Sequence, residues 1–137
     1  MTYKEYLESK ITTAPVSGFE VQDDEINPAL KPHQRVGVKW ACRGGRRALF
    51  EAFGLGKTAQ ELEYCRLVVK HEGGRALIIL PLGVKQEFTR DAVKLLGMDK
   101  PEYVRSMEEI RAARCDILIT NYERVRDGDI DPSYFSA

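Results

Sequence analysis

Residues 48–58 read Ala48-Leu49-Phe50-Glu51-Ala52-Phe53-Gly54-Leu55-Gly56-Lys57-Thr58, and this stretch decides the fold class. Ala48 to Phe50 is a short apolar run that suits a strand, and Thr58 to Lys70 places Ala59, Leu62, Cys65 or Arg66, and Val69 near helical spacing. Between them stands a glycine turn. A strand, a glycine turn and a helix N-terminus together aim backbone N–H groups and the positive end of the helix dipole at an anion. The residue types answer a polyphosphate: Gly54, Leu55 and Gly56 let the backbone close on phosphate oxygens, Lys57 reaches the β- and γ-phosphates, and the Thr58 hydroxyl ligates Mg²⁺. The expected ligand is therefore a nucleoside triphosphate with its magnesium. Glu51 occupies the place of the first glycine in G-x-x-x-x-G-K-[ST], so the neighbouring elements carry the assignment as much as the pattern does.

Working outward, Ala76-Leu77-Ile78-Ile79-Leu80 is an unbroken apolar run stopped by Pro81, which predicts a parallel strand buried on both faces. Ile117 to Thr120 predicts another. Helices are expected over residues 1–10, from Pro32 to Gly44-Gly45 with Val36, Val38 and Trp40 facing inward, over 83–96 up to Gly97, and from Met107 to Ala113. Strands alternating with helices at this spacing argue for an α/β domain with a mostly parallel sheet.

Composition bounds the function. The chain has 137 residues, of which 43% are hydrophobic, enough to core one domain. Residues 1–30 carry two basic and six acidic side chains against nineteen basic and fifteen acidic in the remainder, so an acidic leader precedes a basic body. Lys31, Arg35, Lys39, Arg43, Arg46 and Arg47 form an acid-free run that suits either a phosphate-facing strip or a solvated helix face. Cys42, Cys65 and Cys115 show no metal-ligand spacing, which suits reduced thiols of a cytoplasmic protein. No apolar stretch approaches about 20 residues and no signal-peptide core opens the chain, so a membrane partner is not expected.

Four segments in order carry a family resemblance. Leu30-Lys31-Pro32-His33-Gln34-Arg35-Val36-Gly37-Val38, the loop ending in Lys57-Thr58, Leu77-Ile78-Ile79-Leu80-Pro81 with Lys85 and Phe88 following, and Asp116-Ile117-Leu118-Ile119-Thr120-Asn121-Tyr122-Glu123 together resemble the first RecA-like lobe of superfamily 2 helicases and translocases, most of all the chromatin-remodeller (Swi/Snf) type ATPases. The resemblance covers about residues 29–125. It implies a three-layer P-loop fold, an ATP-dependent motor activity, and double-stranded DNA as partner. It further implies that Gln34, 23 residues before Lys57, reads the adenine edge. Lys57 and Thr58 become the catalytic candidates, Thr58 the metal ligand, and Pro81, Lys85, Thr120 and Asn121 the nucleic-acid contacts. Departures exist: Ala52-Phe53 stands where the family has other residues before Gly54, Phe88 replaces a tryptophan, and Gln86 comes one place early.

The family's next motif is a strand ending in Asp-Glu, whose acids hold Mg²⁺ and orient water. No such strand occurs within these residues. The expectation is thus a leader over 1–28 and a partial lobe over 29–137 that cradles nucleotide without the hydrolytic acid, with further strands lying between those present and supplied by downstream motor segments or a partner chain. A small P-loop kinase and a non-catalytic nucleotide- or nucleic-acid-binding module are the other classes the residues allow.

Overall fold

The computed structural model describes residues 1–10, 15–47 and 57–137. The strand expected at Ala48–Phe50 and the loop through Gly56 lie outside the described residues.

The sheet, as described, has three parallel strands in the order β1 (Ala76–Ile79), β3 (Ile117–Thr120), β2 (Glu102–Tyr103). Ala76 lies opposite Ile117 and Ile79 opposite Thr120, while Tyr103 lies opposite Ile119. The central strand is β3, and all four of its residues are buried, as a run of Ile-Leu-Ile-Thr requires. In β1 only Ala76 and Ile78 are buried, whereas Leu77 and Ile79 are half-covered; the expectation of burial on both faces is corrected for this strand. β1 and β3 are direct neighbours, so no further strand separates these two. β2 was not legible as a strand, because two residues carry no periodicity.

Two apolar clusters lie against the sheet. One gathers Ile78, Ile117 and Ile119 with Leu62, Cys65 and Leu67 of α3 (Lys57–Glu72) and with Val38 and Cys42 of α2 (Pro32–Gly44). The other joins Leu118 and Val104 to Ile130 and to Ile110 of α5 (Met107–Ala112). Successive residues of β3 thus feed opposite cores, and the architecture is α/β with a small parallel sheet.

The inward face of α2 is Gln34, Val38, Ala41 and Cys42, positions related by helical spacing. Val36 is 68% exposed and Trp40 46% exposed, which corrects two of the three expected inward residues. The helix stops at Gly45, whose φ of +87° favours glycine. Residues 15–30 pack as a strap over α2 and α3. Ser17, Gly18 and Phe19 donate their N–H groups to the carbonyls of Gly44, Arg43 and Cys42, and a Cβ on Gly18 would fall 1.7 Å from the Cys42 carbonyl oxygen. Val21, Ile26 and Leu30 enter the main core. By contrast α1 (Tyr3–Lys10) buries no residue.

The helical run after Pro81 comprises a 3₁₀ turn, α4 (Lys85–Arg90) and a π turn over Asp91–Leu95, ending at Gly97 with φ +64°. A short helix, α6 (Tyr122–Arg126), follows β3 directly. At the other edge of β1, Ser136 donates its N–H to Arg75 O and Leu77 donates to Ala137 O, each at 2.8 Å.

Candidate nucleotide site and its surroundings

Lys57 and Thr58 are the first two residues of α3. The first N–H groups of a helix have no partner within it, so this end is electropositive and ready for an anion. Lys57 is exposed and forms no ion pair among the described residues, while Thr58 is half-buried beside it. One turn on, Glu61 is held above its usual pKa by burial, with the Lys57 charge pulling the other way. A cavity of about 680 Å³ opens here, walled by Lys57, Glu61 and Tyr64 of α3 and by Cys42, Arg46 and Arg47 at the end of α2. The Tyr64 hydroxyl donates to Gly45 O at 2.7 Å and fixes that corner. Burial pushes the Cys42 and Cys65 thiols up to about 12, so they are packing groups rather than nucleophiles. Gly54, Leu55 and Gly56, the other expected cradle residues, lie outside the described residues.

An ammonium, a hydroxyl and a helix N-terminus form a donor set that fits a magnesium–triphosphate. Among the described residues no cluster of three or more acidic, histidine or cysteine side chains could hold a metal by itself. Of the described residues, Thr58 is the one whose hydroxyl would help to hold a magnesium ion here.

Gln34 is buried at the start of α2, and its Oε1 accepts the Lys31 N–H at 2.7 Å. Its carbonyl oxygen therefore caps a helix, and Gln34 is not among the residues that wall the cavity beside Lys57.

The four expected nucleic-acid contacts fall into two kinds. Pro81 is exposed just beyond the end of β1, and Lys85 is half-buried with Nζ 4.8 Å from the Tyr103 ring centre. Thr120 is fully buried and donates its hydroxyl to Val104 O at 2.8 Å. Asn121, also buried, accepts from the Tyr103 hydroxyl at 2.6 Å and donates to Glu123 Oε2 at 2.5 Å. Its neighbour Tyr122 is 62% exposed. The structure thus gives Thr120 and Asn121 intramolecular partners and leaves Pro81 and Lys85 at the surface.

Much of the basic run on α2 is answered by the strap. Lys39 pairs with Asp23 at 2.8 Å, Arg43 with Glu20 at 3.3 Å, and Arg35 donates to the Asp23 carbonyl at 2.6 Å. Arg47 stands 5.7 Å from the Trp40 ring centre. The acidic leader and the basic body are partners within one fold.

Sequence reasoning missed a polar network at the middle of α3. Glu63 is fully buried, accepting from Asn27 N–H and from Arg66 Nε, and Arg66 reaches on to Glu25 O at 2.6 Å. Glu25 in turn meets Lys70 Nζ at 3.0 Å and His71 Nε2 at 2.8 Å. Glu63-x-x-Arg66 at helical spacing was the available signal. Among the described residues no helix is long and apolar enough to cross a membrane. Compared with protein-family models and with curated protein sequences, the chain matches none.

Proposed function

We propose that this chain is an ATP-binding portion of a superfamily 2 motor lobe, in which Lys57 and Thr58 hold Mg-ATP and the lobe works on a nucleic acid, double-stranded DNA by the resemblance. One observation carries the reading. Lys57, following Gly54-Leu55-Gly56, stands exposed and without an ion pair among the described residues at the first position of a 16-residue helix, with a hydroxyl next to it. An exposed ammonium beside a hydroxyl at a helix N-terminus suits a ligand that brings its own negative charge. The parallel order of β1 and β3 supports the α/β frame in which such a loop works.

Lys57→Ala is expected to weaken Mg-ATP binding by about 1.5–3 kcal/mol, the contribution of a hydrogen bond to a charged group. That is on the order of a 10- to 100-fold rise in Kd. Calorimetric titration of both proteins decides it, and equal affinities would remove the nucleotide reading. Phosphate release measured on the same samples, with and without duplex DNA, separates binding from turnover and tests the expectation that these residues alone cradle nucleotide without hydrolysing it.

A further inference from the structure

Between the helical run of α4 with its π turn and the residues that lead into β2 lies an open groove of about 1080 Å³. Its walls carry Lys85, Arg90, Lys94 and Lys100 against two acids, Glu87 and Glu102. Glu102 is already answered: its Oε1 accepts the backbone N–H groups of Arg114 and Cys115 at 2.9 Å each, and those bonds hold its carboxyl below the usual range. Arg90 lies 3.6 Å from Asp91. Lys94 and Lys100 are exposed and enter no ion pair among the described residues, and Lys85 meets only the Tyr103 ring.

Three ammonium groups that enter no ion pair among the described residues thus line one trough beside Glu87, while the basic helix α2 has much of its charge met by the strap. Lys85 and Lys94 are nine residues apart on one helical run. That separation is about 13 Å along the axis, the rise of roughly four nucleotides of one strand. A single phosphate would not span it, but a polyanionic backbone would. Lysines act as point charges and read no base, so the contact is independent of sequence.

We propose that this groove is a track for the phosphate backbone of DNA, held by Lys85, Lys94 and Lys100. The proposal rests on the nucleic-acid part of the functional reading and extends it from Lys85 to Lys94 and Lys100, which no motif marked.

The test is fluorescence anisotropy of a labelled 20-base-pair duplex across a salt series, with wild type, the double variant Lys94→Gln/Lys100→Gln, and a control pair Lys4→Gln/Lys10→Gln on α1. Two lost phosphate contacts should lower the slope of log K against log salt by about 1.8. The control should leave the slope unchanged, as should thermal melting of the groove variant, because both lysines are exposed. If wild type binds DNA and the groove variant keeps the same slope, the groove assignment is overturned and the nucleic-acid reading stands. No DNA binding by wild type removes that reading and the groove with it. Competition by poly-glutamate as effective as that by unlabelled duplex overturns the assignment in favour of an acidic protein segment.

Discussion

The two ends of α3 use charge in opposite ways. At its first residue Lys57 is exposed and unpaired among the described residues, whereas from Glu63 onward almost every ionic group is met. Glu63, with no exposed surface, receives Asn27 N–H and Arg66; Glu25, from the strap, receives Gln22 N–H at 2.8 Å as well as Lys70 and His71. A buried charge is tolerated only when its hydrogen-bonding capacity is filled, so the far end of the helix is committed to holding the strap. The near end is exposed and costs nothing to leave open. The paired groups at the far end hold the fold together, and the exposed ammonium at the near end is left open to solvent.

The largest expected effect breaks the paired end. Glu63→Ala leaves Arg66 facing a buried gap and orphans the Asn27 N–H, a loss of about 3–5 kcal/mol in unfolding free energy. Lys57→Ala should change stability by no more than about 0.5 kcal/mol, as surface substitutions do. Urea unfolding of the two variants measures both. Comparable destabilisation by Lys57→Ala would show that the ammonium is a structural group, and the contrast between the two ends would collapse.

Much of this frame was legible in the chain itself. The apolar runs of β1 and β3, the start of α2 at Pro32, its end at the paired glycines, and the helix beginning at Lys57-Thr58 all follow from local rules that act over a few residues. What was hidden depended on partners distant in sequence. Val36 and Trp40 look inward by apolarity alone, yet the strap covers the side of α2 that carries Val38, Ala41 and Cys42, and Gly18 meets the helix end from 24 residues away. Strap acids Glu20 and Asp23 look like a leader's surface charge until they meet Arg43 and Lys39. At the candidate site, Lys57 and Thr58 open α3, while Gly54, Leu55 and Gly56 lie outside the described residues. Thr120 shows the opposite case: a motif names a residue, but its position on the central strand decides whether the side chain points to solvent or core.

That residue extends the comparison from helix to sheet. If buried polar groups with partners serve the fold, Thr120→Val should cost about 1–3 kcal/mol, the penalty for leaving the Val104 carbonyl without its donor. DNA affinity of the folded variant should stay at the wild-type value. Chemical unfolding and duplex titration on the same protein report the two quantities separately. A loss of DNA affinity with unchanged stability would move Thr120 into the nucleic-acid contact that the family resemblance implies.

The smallest effect belongs to Glu25, which lies at the partly exposed rim of the paired end. Its carboxyl falls from the ordinary 4.5 to about 2, first through the Gln22 N–H bond and then through the bond from Lys70, with burial opposing and His71 adding to the lowering. A carboxyl whose folded pKa is depressed binds its proton more readily in the unfolded chain. Its contribution is therefore complete above pH 4.5 and is lost as pH falls through that value towards about 2. Glu25→Gln removes this carboxylate and leaves every other acid in place. The unfolding midpoints of wild type and variant should differ most above pH 4.5 and converge towards pH 2, whereas parallel curves across that range would show that the Lys70 and His71 contacts contribute nothing to holding the strap.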